Sequence, residues 1–161
     1  MYTKLYWLHQ CDNKARLAIM ARPRGGEWLE DEIIQFKKHD VGAIVSLLES
    51  DEIAELGLRE QASLCKKHGI VYINYPIPDR DLPHSKEKTN ALISQLNAML
   101  GEGTSIVIHC RMGIGRSSII AGAVLLQKSG KADDILQHIS RIRGVKVPDT
   151  DEQAKWLKQR Q

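Results

Sequence analysis

Residues 105–120, Ser105-Ile106-Val107-Ile108-His109-Cys110-Arg111-Met112-Gly113-Ile114-Gly115-Arg116-Ser117-Ser118-Ile119-Ile120, pass from an apolar run through a glycine-broken stretch into a second apolar run. Ser105 to Ile108 reads as a buried strand, and Ser117 to Gln127 reads as a helix. Between them a cysteine and an arginine six positions later enclose Gly113 and Gly115. Such a loop can wrap its backbone N–H groups around a tetrahedral dianion while the following helix turns its positive end inward. The cysteine sulfur then lies directly under phosphorus.

Outward from this segment, strands alternate with helices. Leu5 to His9 and Leu17 to Met20 read as short strands joined by the turn residues Asp12-Asn13-Lys14, and Pro23-Arg24-Gly25-Gly26 breaks the chain. Trp28, Leu29, Ile33, Ile34 and Phe36 give a helix an apolar face through Lys38, and Val41 to Leu48 reads as a buried strand. Ser50-Asp51-Glu52 offers a cap with acidic residues behind it, ahead of short helices at Ala54 to Leu58 and Arg59 to His68. Ile70 to Tyr75 returns as a strand. Pro76-Ile77-Pro78-Asp79-Arg80-Asp81-Leu82-Pro83 holds three prolines, which remove donors and force extended geometry, so a surface loop is predicted. Ser85 caps a long amphipathic helix closed by Gly101 and Gly103; further helices are expected over Ala132 to Arg143 and Thr150 to Gln159. The expectation is a single α/β domain over residues 1–161, its mainly parallel sheet of four or five strands flanked by helices on both faces.

The bulk composition narrows the field. With 161 residues, 42% of them hydrophobic, the chain has material for one sizeable core. The net charge of +3 suits an anionic substrate but falls short of the basic stripe of a nucleic-acid binder, so no nucleic-acid partner is expected. No stretch approaches the length needed to span a bilayer and the N-terminus lacks a signal-peptide pattern, so a soluble, cytoplasmic, monomeric protein without membrane contact is expected. Cys11, Cys65 and Cys110 are an odd, widely spaced set with no C-x-x-C pair, which argues against a disulfide framework and against zinc; His39, His68, His84 and His138 also lack metal-ligand spacing. No metal or other cofactor is expected. Cys11 or Cys65 could serve as a resolving thiol for an oxidised Cys110; the favoured reading treats both as small hydrophobes.

The residues of the loop carry their own chemistry. A cysteine at a helix N-terminus beside a guanidinium has its pKa lowered to about 3.5–7.5, which predicts a thiolate nucleophile at Cys110. Arg116 supplies a planar fork for two phosphate oxygens. Ser117 is placed to donate its hydroxyl to the sulfur and make it a better leaving group. Gly113 and Gly115 allow backbone angles and close approaches that side chains would block. Arg111, Met112, Gly113, Ile114, Gly115 and Arg116 together are the expected phosphate-binding residues. Protonating a departing alkoxide or phenoxide needs an acid on a loop that can close over substrate. Asp79 and Asp81 are the candidates, with Asp79 preferred for its position immediately after Pro76-Ile77-Pro78.

His109 through Ser117 resembles the H-C-x5-R-[ST] signature of cysteine-dependent protein tyrosine phosphatases. Pro76-Ile77-Pro78-Asp79 is similar to the general-acid loop of compact dual-specificity members, and Thr150-Asp151-Glu152-Gln153 resembles their C-terminal helix, whose glutamine helps position water. Low-molecular-weight phosphatases and arsenate reductases carry the cysteine loop near the N-terminus, the opposite order. Ser118 departs from the glycine that many relatives carry there. The resemblance implies a metal-free, two-step reaction on phosphorylated proteins: Cys110 attacks phosphorus while Asp79 protonates the leaving oxygen, then water hydrolyses the phosphocysteine. It implies phosphotyrosine hydrolysis, with phosphoserine and phosphothreonine as further substrates.

Competing readings are a phosphoinositide or RNA 5′-phosphate phosphatase and a non-catalytic phosphate-binding module. Relatives that take polyanionic lipids often place lysines in the loop, whereas Met112 and Ile114 are neutral here and only Arg111 adds charge. His109 reads as a structural side chain tuning the cysteine's surroundings. Arg22 and Arg24 could flank the pocket, though solvated loop positions suit them better. Trp7, Trp28 and Trp156 read as packing residues.

Overall fold

The computed structural model describes residues 1–161. Five strands form one sheet: β1 (Tyr6–Gln10), β2 (Arg16–Met20), β3 (Val41–Ser46), β4 (Val71–Asn74) and β5 (Ser105–His109). Their spatial order is β1-β2-β5-β3-β4, with only the β1–β2 pair antiparallel. The central strand β5 is buried at every residue, because helices cover both faces of the sheet and leave no polar side for it to show. Its last residue, His109, pairs with Met20 of β2 on one side and Ser46 of β3 on the other. The carboxyl ends of these three strands therefore meet at one crevice, where an open α/β sheet places its ligand.

Seven α-helices complete the domain: α1 (Leu29–Lys38), α2 (Ser50–Glu55), α3 (Gln61–Lys67), α4 (Lys86–Gly101), α5 (Arg116–Leu126), α6 (Ala132–Arg143) and α7 (Asp151–Lys158). Leu92, Ile93 and Leu96 of α4, Ile120 and Val124 of α5, Leu136 and Ile139 of α6 and Leu157 of α7 pack on one face around Ile106 and Ile108. Leu29, Ile33 and Phe36 of α1, with Cys65 of α3, pack on the other around Val107 and Ile44. None of the helices is long and apolar enough to cross a membrane.

Two local departures from the sequence reading have clear causes. Helix α2 begins at Ser50 rather than Ala54, and its cap is Glu49, whose N–H donates to Oε1 of Glu52 at 3.1 Å in a capping box. The proline-bounded segment after β4 lacks regular structure as expected, yet Ile77 is fully buried in the larger core, so the loop is pinned at its centre. Helix α4 is capped by Ser85, whose Oγ accepts from the N–H of Lys88 at 3.1 Å.

Candidate active site

Cys110 follows β5 directly and Arg116 opens α5, so the six-residue spacing spans the gap between strand and helix. Cys110 is 3% exposed, and its Sγ lies 3.4 Å from Oγ of Ser117. No backbone N–H from Arg111 to Ser117 donates to a protein acceptor, which leaves a run of consecutive amides beside the cysteine for an anion. Gly113 has φ +72°, and a Cβ there would meet backbone atoms of Met20 and Ala21 at 2.6–2.7 Å. At Gly115 a Cβ would collide with Asp149 and Gln153. Both glycines are needed, the first for its conformation and the second for close approach.

The loop carbonyls are held from outside. That of Cys110 accepts from Nδ1–H of His109 at 3.1 Å, and that of Arg111 from the N–H of Arg22 at 3.1 Å. The carbonyls of Met112 and Gly113 accept from Nη2 (3.0 Å) and Nε (3.2 Å) of Arg143, the last residue of α6. His109 is fully buried; with Nδ1 donating, its Nε2 accepts from the amide of Gln61 at 3.1 Å. Burial pushes the His109 pKa down to about 4 and the Arg116 charge pushes the same way, against the bond to the Cys110 carbonyl. His109 is thus a neutral support at neutral pH, as its sequence position suggests.

Arg116 is 1% exposed. Its Nη1 donates to Oε1 of Glu52 at 2.7 Å and to the Ile77 carbonyl at 2.9 Å; its Nη2 donates to Oε2 of Glu52 at 2.9 Å and to Oδ1 of Asp79 at 3.1 Å. The fork expected to hold two phosphate oxygens is thus seated on a buried carboxylate, because a desolvated guanidinium needs a counter-charge. Burial raises the Glu52 carboxyl, but bonds from Arg116 and the Glu49 N–H, with the nearby Arg116 and Arg111 charges, outweigh it and hold the pKa below the ordinary value. Burial works against the Arg116 charge too; the Glu52 bond and the charges of Cys110, Glu52 and Asp79 overcome it and raise its pKa. Glu52 was missed in the sequence because a glutamate one turn into a short helix looks like ordinary first-turn charge.

The two acid candidates separate in space. Asp79 bonds Arg116 while its side chain is 56% exposed, so it borders both the anion site and solvent. Asp81 turns back on its own loop: Oδ1 accepts from the Leu82 N–H at 2.7 Å and Oδ2 lies 3.6 Å from His84. Gln153 is fully buried and already engaged; its Oε1 accepts from the N–H groups of Asp149 and Thr150, and its Nε2 donates to the Asp81 carbonyl at 3.2 Å. Its bonds tie α7 to the acid loop. Arg111 reaches Oε1 of Glu55 at 3.2 Å, and Arg24 pairs with buried Glu32 at 2.7 Å. Met112 is 61% exposed at the rim. Cys65 lies in the core on the sheet face opposite Cys110, its thiol pushed up to about 12 by burial, consistent with the small-hydrophobe reading.

The structure thus brings together, around one nest of free amides, a cysteine at a strand's end, a buried arginine and a loop aspartate bonded to it. Residues 18–130 match the family described as the DSP-PTPase phosphatase of polymorphic toxin systems, and the chain belongs to that family. A chain of Invertebrate iridescent virus 3 that carries the name tyrosine phosphatase 067L is 34% identical over 71 residues, 38% of this chain; the match covers 30% of the viral chain's length. Among solved structures, a kinase associated phosphatase with its catalytic-site cysteine changed to serine superposes with a TM-score of 0.88 at 19% identity, over 98% of this chain and 93% of the other. The active form of Tk-PTP gives 0.74 at 25% identity, over 96% and 95%. The expected fold is the observed one.

Proposed function

We propose that the chain hydrolyses phosphotyrosine, and phosphoserine or phosphothreonine, in phosphorylated proteins through a phosphocysteine intermediate. The observation that carries the reading is the run of unengaged amides from Arg111 to Ser117 beside the Cys110 sulfur, closed by Arg116. The amides take the equatorial oxygens of the phosphoryl group and stabilise them as charge builds in transfer. Cys110 attacks phosphorus as a thiolate while Asp79 gives its proton to the leaving oxygen. Asp79 then takes a proton from the water that displaces sulfur, and the Ser117 hydroxyl supports the departing thiolate. The contact of Asp79 with Arg116 and the inward turn of Asp81 favour Asp79 as the acid. Arg111 is drawn to Glu55, which leaves less free charge in the loop for a polyanionic lipid.

Steady-state hydrolysis of an aryl phosphate, then of phosphotyrosine, phosphoserine and phosphothreonine peptides, tests this directly. Cys110→Ser should abolish turnover, and Asp79→Asn should lower kcat about 10²–10⁴-fold. Full turnover by Cys110→Ser, or phosphopeptide binding by the wild type without turnover, would reject the reading.

A further inference from the structure

Four successive carbonyls of the loop, from Cys110 to Gly113, are gripped by donors outside it. In a trans peptide the C=O and the next N–H point to opposite sides. Each grip therefore turns one amide, those of residues 111 to 114, away from the gripping group and toward the open side of the loop. Arg143 alone holds two of the four, through Nε and Nη2 of one planar group. Its remaining nitrogen, Nη1, donates to the Tyr6 hydroxyl at 3.2 Å, and the guanidinium lies over the Tyr6 ring, 4.4 Å from its centre. Tyr6 and Arg143 both fall outside residues 18–130, the stretch that matches the family.

We propose that Arg143 is a positioning residue that pre-orients the Gly113 and Ile114 amides for the oxyanion, with Tyr6 as its backing; this rests on the phosphatase reading of the loop. Without the clamp, either peptide can rotate and present its carbonyl to the anion, replacing attraction by repulsion. The glycine at 113 makes that rotation easy, so an external hold is needed there. Lysine cannot substitute, because gripping two adjacent carbonyls takes a rigid fork and not a point charge.

The test uses the whole chain carrying Arg143→Ala, Arg143→Lys or Tyr6→Phe, each checked for folding by circular dichroism and thermal melting. Aryl phosphate hydrolysis and the inhibition constant of inorganic phosphate are then measured. Arg143→Ala should lose about 10²-fold in kcat/KM, the cost of an ill-set oxyanion donor. It should also bind phosphate roughly 10-fold more weakly, the loss of a single good interaction. Millimolar guanidinium should restore part of both. Arg143→Lys should recover little, and Tyr6→Phe should fall between wild type and Arg143→Ala. A folded Arg143→Ala with wild-type turnover and phosphate inhibition overturns the proposal, as does a lowered melting temperature with unchanged phosphate affinity. If Arg143→Ala fails to fold, wild-type values for both Arg143→Lys and Tyr6→Phe overturn it. Should the wild type hydrolyse nothing, the phosphatase reading fails, and calorimetric titration of phosphate into wild type and variants still decides the role of Arg143.

Discussion

Glu52 and Arg116 form a buried ion pair that serves the site and costs the fold if broken. Both terminal nitrogens of Arg116 are bonded to Glu52 oxygens, and neither residue is more than 6% exposed. Replacing Glu52 with Gln keeps the shape and leaves the guanidinium with only the single, half-exposed Asp79 contact as side-chain counter-charge. A loss of about 3 kcal/mol in stability is expected, since removing one partner of a buried pair strands the other. Urea unfolding measures it, and kcat/KM should fall in the same variant as Arg116 shifts. Gly113 is equally exacting: with φ +72° and Met20 backbone atoms at 2.6 Å from an added Cβ, Gly113→Ala must displace the loop. Aryl phosphate turnover in that variant should drop at least about 10-fold and the melting temperature should fall with it, because Gly113 and the Met20 backbone it presses on are both buried.

At the level of elements, α7 and the acid loop act as one unit through Gln153. Its side chain caps the helix with two accepted bonds and reaches across to the Asp81 carbonyl, while Arg80 lies 3.9 Å from Asp149. Gln153→Ala leaves the Asp149 and Thr150 N–H groups without their acceptor and releases the loop that carries Asp79. The expected cost is about 1–3 kcal/mol for the lost partner, read by thermal melting. A fall in kcat larger than any rise in KM should accompany it, because the loop places the acid and not the bound phosphate. The sequence marked a helix start at Thr150 and a proline-bounded loop around Asp79. The bond joining them spans residues 81 and 153, and no local pattern encodes it.

For the whole molecule, stability should depend on pH through groups buried around the loop. His109 has a pKa of about 4 against an ordinary 6.5, so it stays neutral in the fold while the unfolded chain takes up a proton below 6.5. Its contribution is complete above pH 6.5 and is lost progressively as pH falls towards 4, about 1.4 kcal/mol per unit and about 3 kcal/mol in all. Glu52, held below its ordinary value, adds a further loss lower down, within the carboxylate range. Urea midpoints at pH 7, 5.5 and 4.5 should decline in this order, and His109→Gln should flatten the fall between 6.5 and 4. An unchanged slope in that variant would assign the pH dependence elsewhere.

The α/β architecture and the strand–loop–helix around Cys110, with its two glycines and Arg116 at the helix start, were legible along the chain, because each depends on residues within a few positions of one another. Apolar runs set the strands, helical periodicity set α4 and α6, and a spacing of six matched a turn between strand and helix. What closes the site came from tertiary structure alone. Glu52 beneath Arg116, Arg143 and Tyr6 behind the loop, and Gln153 against Asp81 are partners 64, 30 or more, and 72 residues apart. A buried charge or carbonyl must find a partner somewhere, but which side chain reaches it is settled by how helices dock on the sheet, and short-range sequence carries no record of that.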